Sequence, residues 1–133
     1  NKQVLDVQGV PAVNYGGQGG LGDVALHPDF AKNHWIYLSY AAKGQGGSGA
    51  VISRAKLDLS NPNQPKLTDV KQIWQQVPKV SGQGHYGHRM LFGADGKLWV
   101  SSGERQKFDP AQNMKSNLGK ILRLNDDGSA ALG

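Results

Sequence analysis

The chain has 133 residues, 38% apolar and 8% aromatic, enough for one small core; 19 glycines and no cysteine argue for tight turns in an all-β protein, against a helical bundle or a disulfide scaffold. The 15 Lys and Arg behind the net charge of +5 are dispersed, without the clustered basic face that marks nucleic-acid binding. No apolar stretch approaches the ~20 residues of a membrane span, so none is expected, and the opening Asn1-Lys2-Gln3 carries no secretory signal pattern.

Val4 to Val7 opens the chain as a candidate strand. Val24-Ala25-Leu26-His27-Pro28-Asp29-Phe30 follows, a strand ended by Pro28 and Asp29, with Ala31 to His34 turning the chain into the aromatic, β-branched run Trp35-Ile36-Tyr37-Leu38-Ser39-Tyr40. Gly44 to Gly49 reads as a flexible turn. Beyond it Val51, Ser53, Ala55, Leu57 and Leu59 on one face alternate with Ile52, Arg54, Lys56 and Asp58 on the other, the two-residue period of a strand. Asn61 to Pro65 is a loop, and Val70 to Val77 a fourth strand. Met90-Leu91-Phe92 and Leu98-Trp99-Val100 flank Asp95-Gly96, a pair suited to the positive φ angles of a tight hairpin turn, so they are expected to pair. A long loop with Glu104 and Asp109 leads to Lys120-Ile121-Leu122-Arg123-Leu124-Asn125, closed by Asp126-Asp127-Gly128.

The second half repeats the first. Ile36-Tyr37-Leu38-Ser39 matches Leu98-Trp99-Val100-Ser101, and Arg54 to Asp58 loosely matches Ile121 to Asn125, an offset of roughly 60 to 70 residues that suits the four-stranded blades of a propeller. Blades are expected over 20–80 and, incompletely, over 84–133, with 1–8 contributing a strand to a preceding blade. A closed ring needs about four to eight blades, so the chain reads as a fragment; a sandwich of short strands fits the same periodicity.

Gly17-Gln18-Gly19-Gly20-Leu21-Gly22 satisfies the dinucleotide pattern G-x-G-x-x-G, as do Gly44 to Gly49 and Gly82 to Gly87, but strand-like sequence follows where a phosphate-binding helix should. His85 and His88, with His27 and His34, invite a metal reading, yet Gly84 and Gly87 disfavour the helix that would align two imidazoles, and no metal ligand is assigned. His85, on a glycine-flanked loop entering a strand, is either an imidazole bonded to backbone or a reacting group. His34, Tyr86 and His88 read as structural or exposed, Glu104 and Asp109 as solvated charges, and Trp74 as packing.

Three segments, in order and spacing, resemble the soluble quinoprotein sugar dehydrogenases, the glucose/sorbosone dehydrogenase group. Gly17-Gln18-Gly19-Gly20-Leu21-Gly22 with Ala25-Leu26-His27-Pro28-Asp29-Phe30 is similar to the family's first elements. His85-x-x-x-Arg89 with Gly93-x-Asp95-Gly96-Lys97-Leu98 is similar to the second, and Leu118-Gly119-Lys120-Ile121-Leu122-Arg123-Leu124-Asn125-Asp126-Asp127-Gly128 to the third. The resemblance implies a six-bladed propeller with pyrroloquinoline quinone (PQQ) over its mouth beside calcium, an aldose substrate and a periplasmic location. His85 then matches the catalytic base that takes the proton of the anomeric hydroxyl while hydride passes to the quinone. Gln18 matches a residue contacting substrate or cofactor, and Arg89 has a positioning role.

Gly84 departs from the family where some members carry an acidic residue. The family's arginine-asparagine clamp, calcium segment and late basic residues lie beyond this sequence. The chain alone is therefore expected to hold neither PQQ nor calcium stably, to be inactive, and to self-associate through exposed blade faces. Alternatives of other classes are a non-catalytic propeller binding module and a calcium-dependent propeller hydrolase resembling a lactonase.

Overall fold

Among residues 2–133, which the computed structural model describes, seven strands form two antiparallel sheets. β1 (Leu21–Leu26), β2 (Trp35–Gly44), β3 (Gly47–Asp58) and β4 (Lys66–Gln75) pair in sequential order, and β5 (Gly87–Phe92), β6 (Leu98–Ser102) and β7 (Lys120–Leu124) do the same. Helix is confined to α1 (Phe30–Asn33) and a 3-10 turn at Asp109–Gln112. The matching segments of the sequence occupy equivalent places: Ile36–Ser39 lies in β2 and Leu98–Ser101 in β6, the second strands, while Arg54–Asp58 lies in β3 and Ile121–Leu124 in β7, the third.

The second sheet has three strands; beyond β7 the chain turns so that Ala131 N–H donates to Arg123 O (3.1 Å) and Ala130 bridges Leu124, on the edge that β4 occupies in the first sheet. Several boundaries differ from the sequence-based expectation. Val4 to Val7 forms no strand. Gln8 instead makes a parallel bridge to Lys66, tying the segment to the outer strand of the first sheet itself. The glycine run 44–49 is mostly ladder: Gly44 pairs Gly47, leaving only Gln45 and Gly46 to turn, with φ 89° at Gly46. β4 begins four residues before Val70, because a break in register around Asp69 (φ 51°) disrupts the alternation that would have revealed its first half. The β5–β6 connection is a loop over 93–97, closed by Gly93 N–H to Lys97 O (2.9 Å); Gly96 takes positive φ (74°) and Asp95 does not, its carboxylate instead accepting Lys97 N–H (3.0 Å).

The core has two layers. Ile36, Leu38, Tyr40, Val51, Ala55 and Leu67 pack on one face of the first sheet; Tyr37 and Ile52, on the other face, pack against Met90, Leu98, Val100 and Leu124 of the second. Ile52, on the face of β3 opposite Val51 and Ala55, is also fully buried because the second sheet covers it. Burying side chains such as Ile52 stabilises by about 1.5–3 kcal/mol each, and Tyr37 keeps its hydroxyl satisfied by donating to Asp126 O (2.7 Å) across the seam. β1 packs directly on β5, so the loops leading into these two strands meet at one end of the molecule.

Candidate active site at the head of the inner strands

Two loops converge there. Gln18 N–H donates to Gln83 O (2.7 Å), and Gln18 Oε1 accepts the backbone N–H of His85 (2.8 Å), so the first glycine-rich loop is bound to the second beside the imidazole. His85 holds a left-handed backbone (φ 49°), a conformation costing about 1–3 kcal/mol in a non-glycine residue and kept by the contacts around it. A Cβ on Gly84 would lie 2.3 Å from Gln106 Oε1, so its smallness makes room for the Gln106 carboxamide.

The imidazole Nδ1 of His85 is hydrogen-bonded to Glu104 Oε1, and the second carboxylate oxygen accepts Phe108 N–H (2.9 Å). The hydrogen bond from His85, then that from Phe108, lowers the Glu104 carboxyl to about 2. A carboxylate only accepts, so Nδ1 bears the hydrogen of this bond, and in the neutral ring Nε2 is the nitrogen with the lone pair. Nε2 has no protein partner among the described residues, and the side chain is 48% exposed. The imidazole is thus oriented by a carboxylate and stands half in solvent.

Glu104 is thus no solvated charge, and the reading of it as one is corrected. A signal for it existed in the hairpin: extending the Gly87↔Ser102 pair two residues outward sets His85 opposite Glu104. The turn alone would mislead by one residue, because the ladder shifts register between Gly87 and Met90. Asp109, considered with Glu104, opens the 3-10 turn and is exposed.

Arg89, expected to position the site, lies on β5 with its side chain 85% exposed and Nε 3.5 Å from Asp23 Oδ2, and among the described residues it makes no hydrogen bond to His85. Asp23, which sequence reading passed over, does more to hold this end of β5: Oδ2 accepts Met90 N–H (2.9 Å) and Oδ1 accepts Val24 N–H (2.9 Å), linking β1 to β5. His88 is structural. It is only 4% exposed, its Nδ1 lies 3.1 Å from Ser39 Oγ, and the Ser39 hydroxyl donates to His88 O (2.7 Å). Burial lowers its pKa, favouring the neutral ring. A Cβ on Gly22 would fall 1.7 Å from His88 Cε1, so that glycine of the apparent dinucleotide motif is a seat for an imidazole.

The other histidines scatter. His27 Nδ1 accepts Asp29 N–H (3.0 Å) while Nε2 lies 3.1 Å from Asp126 Oδ2, a strap between the sheets; His34 ends α1 at φ 56°. No group of three or more His, Cys, Asp and Glu side chains able to hold a metal ion occurs among the described residues. Trp74 packs on the inter-sheet core, as expected of it.

The family model described as Glucose / Sorbosone dehydrogenase matches residues 1–133. Aldose sugar dehydrogenase YliI of Escherichia coli (strain K12) is 40% identical over 125 residues, covering 92% of this chain and 32% of that protein, so the chain spans about a third of its length. The crystal structure of the soluble aldose sugar dehydrogenase from Escherichia coli in the apo-form superposes with a TM-score of 0.88 at 38% identity, over 95% of this chain and 36% of that one. The PQQ-bound aldose sugar dehydrogenase from Streptomyces coelicolor gives 0.83 at 34% identity, over 96% and 36%.

Proposed function

Because the chain belongs to the glucose/sorbosone dehydrogenase family, we propose that it supplies the base and part of the mouth of a PQQ-dependent enzyme that oxidises the anomeric carbon of aldoses to lactones. The observation that carries this reading is the Nε2 of the half-exposed His85, unpartnered among the described residues and backed at Nδ1 by Glu104. Nε2 is free to take the proton of the anomeric hydroxyl, and the carboxylate stabilises the imidazolium that results; a base so placed typically contributes about 10²- to 10⁴-fold. PQQ, when bound, accepts the hydride that leaves the same carbon. Gln18 fixes the backbone of His85 through its carbonyl, which leaves its amide nitrogen available for a sugar oxygen or a quinone oxygen. Arg89 keeps a positioning role on this reading, through Asp23 and the start of β5.

The residues present fit one side of the cofactor site. An imidazole and a carboxamide suit the reacting end of a quinone, whereas neutralising its carboxylates and holding calcium would fall to residues outside this chain. On this reading 20–80 and 84–133 are blades of a six-bladed propeller, the protein works in the periplasm, and the chain alone retains neither PQQ nor calcium. The exposed face of the second sheet, with Leu91, Trp99 and Ile121, is then the bed of a further blade, and a second copy covers it when that blade is missing.

The test is turnover by the complete protein that carries this sequence, reconstituted with PQQ and calcium. Aldose-dependent dye reduction, lost on omitting PQQ, is expected. Turnover without PQQ, hydrolysis of lactones in place of sugar oxidation, or sugar binding with no turnover would overturn the reading in favour of the hydrolase or the binding module.

A further inference from the structure

Arg105 is the largest side chain sealed from solvent, 1% exposed, and no carboxylate among the described residues pairs with it. Its guanidinium is satisfied by neutral oxygens: Nε donates to Gly84 O (2.9 Å), one terminal nitrogen to Ser48 O (2.6 Å), and the other to Gly82 O (2.6 Å) and Ser48 Oγ (3.4 Å). The ring of Tyr86 lies 3.8 Å beneath it, with its hydroxyl bonded to the same Ser48 Oγ (2.7 Å). The backbone N–H of Arg105 donates to His85 O (3.2 Å). Burying a cation without a counter-charge costs several kcal/mol unless its donors are fully used, and the planar fork uses them here in several directions at once.

All these contacts but those to Ser48 fall on residues 82–86, on both sides of His85, and Ser48 belongs to β3 in the other sheet. The guanidinium therefore ties the loop of the base to the scaffold of the first sheet, while the neighbouring Glu104 grips the imidazole. We propose that Arg105 is a positioning residue for His85: it holds the left-handed loop in the one conformation that keeps Nδ1 on Glu104 and Nε2 facing the mouth. The proposal rests on the reading of His85 as the base.

The experiment is a double-mutant cycle in the complete protein with PQQ and calcium. Arg105→Lys keeps the charge but offers one donor centre for acceptors spread around a fork, so PQQ binding should stay within about three-fold while kcat falls about ten-fold or more, with KM for the aldose changing less. In the His85→Gln background the same substitution should cost less than about two-fold, because its effect runs through the imidazole. Parental kcat in Arg105→Lys, or losses that multiply in the double variant, overturn the proposal. If Arg105→Lys does not fold, Ser48→Ala takes its place, removing one acceptor and leaving the three carbonyl partners. A kcat loss that vanishes without His85 supports the proposal, and a lowered melting temperature at parental kcat overturns it. Parental kcat in His85→Gln itself overturns the base reading and this proposal together. That result is distinct from a slow His85→Gln beside an undisturbed Arg105→Lys, which overturns only the role of Arg105.

Discussion

His85 and His88 enter β5 three residues apart, both with a left-handed backbone (φ 49° and 54°), and they end in opposite surroundings. His85 is tied to a carboxylate and half in solvent, with one nitrogen unused; His88 lies between the sheets against Gly22 and Ser39, where burial favours its neutral form. The same side chain is thereby solvent-accessible in one place and packing at the seam in the other. What separates them is which face of the bulged strand each occupies and what the other sheet places there, not the residue type or its neighbours in the chain.

The sharpest way to break this contrast is to replace each histidine by glutamine, which keeps polarity and approximate size but cannot accept a proton at physiological pH. In the complete protein with PQQ and calcium, His85→Gln should lower kcat about 10²-fold or more, some 2.7 kcal/mol of transition-state stabilisation, with cofactor affinity changing less. Steady-state kinetics beside a PQQ titration measures both. A fully active variant would end the base assignment.

Removing the partner should cost less than removing the base. Glu104→Gln keeps a hydrogen-bond acceptor for Nδ1–H but no charge to stabilise the imidazolium, and a loss of about 10-fold in kcat is expected from steady-state rates. It also has a pH signature. Since the folded Glu104 carboxyl titrates at about 2 and an unfolded glutamate near ~4.3, its contribution to stability is fully present above the unfolded value and lost as pH falls through the folded one. Glu104→Gln should flatten that part of the acid-unfolding curve followed by circular dichroism, and an unchanged curve would mean that the hydrogen bonds to the Glu104 carboxylate contribute nothing to folding.

The seam should respond in stability instead of rate. His88→Gln loses the Ser39 contact and part of the packing, and Gly22→Ala forces a methyl group onto the imidazole; each should lower unfolding free energy by about 1 to 2 kcal/mol. Activity per folded molecule should stay within a few-fold. A kcat deficit in His88→Gln equal to that of His85→Gln would erase the contrast between the two residues.

The smallest effect is expected on the open face of the second sheet. Leu91 and Ile121 are each 69% exposed, so Leu91→Ser with Ile121→Ser should change the unfolding free energy of the 133-residue chain by less than about 0.5 kcal/mol while weakening its self-association in sedimentation velocity. Unaltered association would mean that the copies meet elsewhere.

The strands were largely legible because backbone periodicity and turn residues act locally. Trp35 to Tyr40, the Met90–Phe92 and Leu98–Val100 pair, and Lys120 to Leu124 stand where alternation and the Asp95-Gly96 break place them. Val4 to Val7 shows the limit of that signal: β-branched residues make a strand only where an edge is paired, and the bridge to the sheet comes after them, at Gln8. Gln18 and His85 were visible as motif positions, but that one carbonyl bonds the other's backbone was not.

Composition, period and glycine placement thus determine an all-β chain of two repeated sheets with a histidine loop ahead of an inner strand, since each depends on φ/ψ preference and on burial along a few consecutive residues. The register shift in β5, the pairing of His85 with Glu104 across the hairpin, the burial of Arg105 against the 82–86 loop and the seating of His88 on Gly22 were decided by the tertiary structure. These contacts join residues 19 to 66 positions apart, and their energies come from desolvation and geometry that exist only once the two sheets have packed.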